Sequence, residues 1–96
     1  MSLFIIRVEL HSNNYVTDFT RLHDLMQVNG FSKTIKSDNG VEYHLPRAEY
    51  LIYSSTDNYS SILKKVESVV KLTGKTAEIL VTESKSSTWL NLTPVK

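Results

Sequence analysis

"FSKTIKSDNGVEYHLPRAEYLIYS", residues 31–54, is where the two halves of this chain are joined. Residues 31–36 read as a short strand, polar on one side. Asp38-Asn39-Gly40 signals a tight reversal, because Asn and Gly tolerate positive φ. Residues 48–54, "AEYLIYS", read as the next strand, rich in aromatic and β-branched types. The connection between them is longer than a hairpin needs, and carries Tyr43, His44, Leu45, Pro46 and Arg47.

Upstream, residues 3–10 alternate Phe4, Ile6, Val8 and Leu10 with Ile5, Arg7 and Glu9. That period of two predicts a strand with one face in the core. Leu3 and Ile5 make its first half apolar on both faces, which predicts a central position. From Tyr15 to Asn29 the apolar residues Tyr15, Phe19, Leu22, Leu25 and Met26 fall at helical spacing. Asn13 or Asn14 precedes them as an N-cap, and Gly30 follows as a C′ residue. A second helix is predicted from Tyr59 to Leu72, with Tyr59, Ile62, Leu63, Val66, Val69 and Val70 on one face and Gly74 closing it. Residues 76–83 give a last strand, with Ala77, Ile79 and Val81 on one side.

The element order is β-α-β-β-α-β. Its compact solution is an α+β, ferredoxin-like domain over residues 1–84, with two helices on one face of an antiparallel four-stranded sheet. Residues 85–96, with Trp89, form a tail or a fifth, edge strand. The uncovered sheet face is predicted to carry Arg7, Glu9, Glu78 and Leu80, partly apolar and suited to a second subunit or a tail.

The bulk numbers bound the function. Ninety-six residues suit one modest core. No apolar run approaches the ~20 residues of a membrane span, so no membrane partner is expected. The start has no basic, cleavable leader. The absence of cysteine excludes disulfides and thiolate metal sites. These features predict a cytoplasmic protein. A net charge of +1 gives no support for tight nonspecific nucleic-acid binding, though a local basic patch remains open.

In the predicted topology the end of the first strand and the 37–47 connection share one end of the sheet. Glu9, His11, His44 and Arg47 would be neighbours there, with Asp38 close by. RNA cleavage by an adjacent 2′-hydroxyl needs a base, an acid and a cation for the phosphorane, and these residue types supply them. Each also has a plainer reading, as a solvated loop residue or, for Glu9, a cross-strand ion-pair partner. Glu9, His11 and His44 offer ligands to a divalent metal, but their spacing matches no zinc pattern, and no metal site or cofactor is assigned. Lys64, Lys71 and Lys75, with Lys65, recur along the second helix as either a phosphate-facing ridge or its solvent face. Tyr43, Tyr50 and Tyr53 suggest base stacking on the sheet, although the Gly-aromatic signature of RNA-recognition modules is missing.

The stretch "RLHDLMQVNGFSKTIKSDNGVEYHLPRAEYLIYSST", residues 21–56, resembles the middle of the GhoS antitoxin family. Arg21, Leu22, Leu25, Met26, Phe31, Ser32, Gly40, Leu45, Tyr50 and Ser54 carry the likeness, and Glu9 falls where that family has an acidic residue. The resemblance implies a ferredoxin-like endoribonuclease of a type V toxin–antitoxin pair, cleaving the messenger RNA of a small membrane-damaging toxin. It also implies kinship with the small subunit of the CRISPR integration complex, a dimer with an acidic residue ending its first strand. On this reading Arg21 and His23 grip phosphate, and Glu9 or His11 handles the proton. His44, Arg47, Lys64 and Lys71 hold the RNA. The family carries arginine where this chain has His23. The alternative is a non-catalytic module that binds RNA or forms a homodimer.

Overall fold

A computed structural model describes residues 1–95, apart from the side chain of Tyr15. Lys96 and the expected place of Tyr15 in the first helical stripe lie outside the described residues. The elements are β1 (Ser2–His11), α1 (Tyr15–Val28), β2 (Thr34–Lys36), β3 (Glu42–His44), β4 (Glu49–Ser54), α2 (Tyr59–Lys71) and β5 (Thr76–Ser84).

β1 is central, as its doubly apolar start predicts, with β4 and β5 antiparallel on either side. Its even-numbered residues Phe4, Ile6, Val8 and Leu10 are buried against Leu22 and Met26 of α1 and Ile62, Val66, Val69 and Val70 of α2. Both helices therefore cover one face of the sheet, and the odd-numbered residues of β1 point to the other. The result is a small α+β fold compatible with the ferredoxin-like class.

The expected four-stranded sheet is corrected to three strands plus a separate two-stranded sheet, β2–β3. Ser32 still reaches β4, exchanging backbone hydrogen bonds with Leu51 at 2.7 and 2.9 Å. The chain then turns away. The Ser32 hydroxyl accepts from the Thr34 N–H at 3.0 Å, which bends the backbone locally. Thr34–Lys36 pairs with Glu42–His44 instead of continuing along β4. Gly40, at φ +86°, closes the hairpin by donating its N–H to the Ser37 carbonyl at 2.9 Å.

The tail does not become a fifth strand of the main sheet. It runs against β3: the His44 N–H donates to the Thr93 carbonyl at 2.8 Å, and the Val95 N–H to the Glu42 carbonyl at 3.0 Å. Trp89 packs edge-on to Tyr43, with centroids 5.5 Å apart.

The two helix starts differ. At α2 the Asn58 side chain accepts from the Ser61 N–H, and the Ser61 hydroxyl accepts from the Asn58 N–H, both at 2.9 Å. This reciprocal box satisfies two otherwise orphaned donors. Asp57 beside it accepts from Ser54, Lys65 and Ser61, and these bonds lower its pKa to about 2. Asn14 is the N-cap of α1 but makes no side-chain cap hydrogen bond. The Ser12 hydroxyl accepts the Asn14 N–H instead and donates to Asp18. Asn58→Ala is therefore expected to cost about 1 kcal/mol of stability in urea unfolding, and Asn14→Ala only a few tenths. Equal losses would show that the two caps do the same job.

Candidate functional site

Strand alternation decides which candidate residues meet. Glu9 and His11 point away from the helices, because their strand neighbours Val8 and Leu10 are core. On that open face the Arg7 guanidinium lies 3.0 Å from Glu9 and 3.8 Å from Glu49. Glu9 stands directly opposite Glu78 on β5, an unfavourable like-charge pair. Arg7 relieves it on one side. On the other, His11 Nε2 lies 3.7 Å from Glu78 while its Nδ1 is 3.0 Å from the Thr76 hydroxyl. Arg47 comes to the same end by backbone placement, since Ala48 next to it accepts from the Val8 N–H at 2.8 Å.

Arg21 and His23 lie in the helix layer, behind the sheet from Glu9 and His11. Arg21 donates to the Leu72 carbonyl at 3.2 Å, tying α1 to the end of α2. His23 stacks on the buried Tyr50 ring, with centroids 6.2 Å apart and 29° between planes. The four expected catalytic residues are thus two pairs separated by the sheet. Asp38 is not near His11 either. Its hairpin turn lies beside Leu3 and Tyr53, at the opposite end of β1 and roughly 26 Å along the strand from His11.

His44 is exposed at the end of β3, opposite Thr34. Lys64 and Lys71 are exposed on α2, seven positions apart and opposite its buried row Ile62, Val66, Val69 and Val70. They form the helix's solvent face and do not border the open sheet face. Lys65 and Lys75 are held by Asp57 at 2.9 Å and Asp18 at 3.8 Å. Among the described residues, no three His, Asp or Glu side chains are grouped as a metal would require, so Glu9, His11 and His44 do not form a ligand set.

The open face has a second, aromatic end. The β2–β3 hairpin curls over it, and a cavity of about 580 Å³ forms between Leu3 and Tyr53 of the sheet, Ile35 and Tyr43 of the hairpin, and Trp89 of the tail. Leu51 faces this side by register with Ile5, yet is only 4 % exposed, and Ile35 is only 6 % exposed. The hairpin buries these two and leaves Tyr53 54 % exposed as the trough's floor. Lys36 and the Asp38–Asn39 turn form the rim. Tyr43 and Tyr53 thus reach the open face, as the sequence suggests, whereas Tyr50 is fully buried among the helices.

Lys33 is the residue that the sequence reading passes over. Its ammonium donates to the carbonyls of Pro46, Arg47 and Glu49 at 3.0, 2.7 and 2.9 Å. It also lies 4.7 Å from the Tyr50 ring centroid and 5.5 Å from that of Phe19. The sign of this role is a lysine in one period-two row between two apolar residues, Phe31 and Ile35.

In comparisons with known proteins, no protein-family model and no curated protein sequence matches the chain.

Burial lowers the Lys33 pKa from 10.5 to about 8, with Glu49 pulling the other way. Between those values the unfolded chain holds a proton that the folded chain has released. This residue therefore makes stability rise with pH over that window. Lys33→Met is expected to flatten that rise in urea midpoints measured from pH 7.5 to 10.5, and to cost about 1–3 kcal/mol through the unpaired carbonyls. A slope unchanged by the substitution would assign it to other groups.

Proposed function

We propose that this protein is a GhoS-like, RNA-level antitoxin that engages single-stranded RNA across its open sheet face. The observation that carries the reading is the trough, where the exposed Tyr53 lies beside Tyr43 and Trp89 with Lys36 at the rim. Single-stranded RNA is held by stacking unpaired bases on such rings, beside a few cationic groups that track the backbone. The resemblance over residues 21–56 supports a toxin messenger as the target. The two-helix, antiparallel layout supports a full ferredoxin-like ancestry in which the second strand has left the sheet after Ser32.

Cleavage is the second reading, favoured by His11 and Arg7 lying on the same face as the trough. His11 would take the 2′-hydroxyl proton and Arg7 would stabilise the phosphorane. Three carboxylates, Glu9, Glu49 and Glu78, surround that pair and oppose an RNA phosphate. Binding therefore stands ahead of cleavage.

Trp89 is the sole tryptophan, so its fluorescence reports on the trough directly. Titration with unstructured RNA is expected to quench it. Tyr53→Ala, a change at an exposed ring, should weaken binding about tenfold, in line with the stacking of one base. A silent tryptophan and no mobility shift on a mixed RNA pool would sink the proposal. Products appearing from that pool, with or without magnesium, and lost in His11→Ala, would move the second reading to first.

A further inference from the structure

β5 ends the three-stranded sheet with its outer edge unpaired among the described residues. Natural edge strands are usually blunted by proline, lysine, inward-pointing charges, a bulge or short length. β5 has only one of these, Glu83 on the helix side near its end, opposite Phe4. It runs nine residues, Thr76–Ser84, in unbroken register with β1, and contains neither proline nor lysine.

The direction of its free backbone groups follows from one bond. Val8 donates to the Ala48 carbonyl on the β4 side, so the even-numbered residues of β1 bond towards β4 and the odd-numbered ones towards β5. Their partners on β5 are Glu78, Leu80 and Thr82. The N–H and C=O groups of Ala77, Ile79, Val81 and Glu83 consequently point outward. The side chains of Ala77, Ile79 and Val81 are only partly buried, so the core also stops unfinished along this edge. Leu80, on the open face, is 63 % exposed.

We propose that β5 pairs antiparallel with β5 of a second copy of this chain, about a two-fold axis at Leu80, making one continuous six-stranded sheet. The strand is self-complementary in this register. Ile79 meets Val81 of the other copy on the helix side, in hydrogen-bonded pairs that use the outward groups. Leu80 meets Leu80 on the open side. Glu78 meets Thr82 and Thr76 meets Ser84, so no carboxylate opposes another. Lys75 and Lys85 meet only beyond the strand ends. Shifting the axis to Ile79 would place Glu78 against Leu80, which exchanges an apolar pair for a carboxylate on leucine. The match of the strand to itself is what selects a second copy over an unrelated strand.

The chain has no cysteine, so Leu80→Cys introduces a lone thiol. At the axis of a non-hydrogen-bonded antiparallel pair the two Cα atoms lie about 4.5 Å apart, within disulfide reach. Mild oxidation of the full chain is expected to convert Leu80→Cys largely to a covalent dimer, and Thr82→Cys, which is off the axis, far less. Sedimentation of the unmodified chain should show mass rising from monomer towards dimer with concentration. Leu80→Lys, at an exposed position that leaves the circular dichroism unchanged, should stay monomeric. An unmodified chain that is monomeric at every concentration would overturn the proposal. So would equal crosslinking of the two cysteine variants, which would mean random collision.

Discussion

The parity of β1 is the constraint on which the rest depends. Phe4, Ile6 and Val8 are fully buried and Leu10 nearly so, which assigns the even positions to the helices. Period two leaves no freedom after that: Arg7, Glu9 and His11 must face the other way. The same parity passes through register to Tyr50 and Ile52 on β4 and to Ile79 and Val81 on β5, which join the core, and to Tyr53 and Leu80, which do not. A one-residue slip of β1 would place Arg7 and Glu9 among Leu22, Met26 and Val66. Two charges without partners there would cost more than the molecule's marginal stability can absorb.

That constraint explains how much was legible in the sequence. β1, β4, β5 and both helices each carry their own periodic row, and each forms within a residue or two of its expected place. Residues 31–36 have a weaker pattern, and tertiary contacts decide them. Phe31 enters the main core, while Ile35 is buried outside it, at the trough. The break falls at Lys33, whose ammonium is held by carbonyls more than ten residues away. A hydrogen bond to a distant backbone leaves no local periodicity, so only the misplaced charge in an apolar row could have signalled it. The oddly long 41–47 connection follows from this clamp. Part of it becomes β3, and Pro46 and Arg47 lend carbonyls that accept hydrogen bonds from Lys33.

The candidate site was less legible, because co-location at one end of a sheet says nothing about which face a side chain takes. Glu9 and His11 lie on the open face, and Arg21 and His23 in the helix layer on the other side of the sheet. Arg21 and His23 have structural work instead, bridging the helices and packing on Tyr50. The aromatic trough needs three segments distant in sequence to converge, Leu3, Ile35 with Tyr43, and Trp89. Of these, Tyr43 stood out as an aromatic and the tail for its tryptophan, but nothing local showed that they would meet.

The trough is built from the least anchored parts of the fold. Its floor, Tyr53, belongs to the sheet, but its wall is a two-stranded hairpin and a tail held by the His44–Thr93 and Val95–Glu42 hydrogen bonds. An isolated hairpin is marginal in water, and this one adds little to the main core beyond Phe31 at its root. Hydrogen bonds at exposed positions and few buried apolar contacts mark the low-stability end of a structure, where opening occurs without global unfolding. On the RNA-binding proposal, such a wall would open to admit bases and close when they stack. The ordering entropy then comes out of the binding energy. With a net charge of +1 and Lys64 and Lys71 on the far side of the molecule, such a surface would favour stacking over phosphate attraction. Its selectivity would then lie in unpaired, accessible bases rather than in the charge common to every RNA.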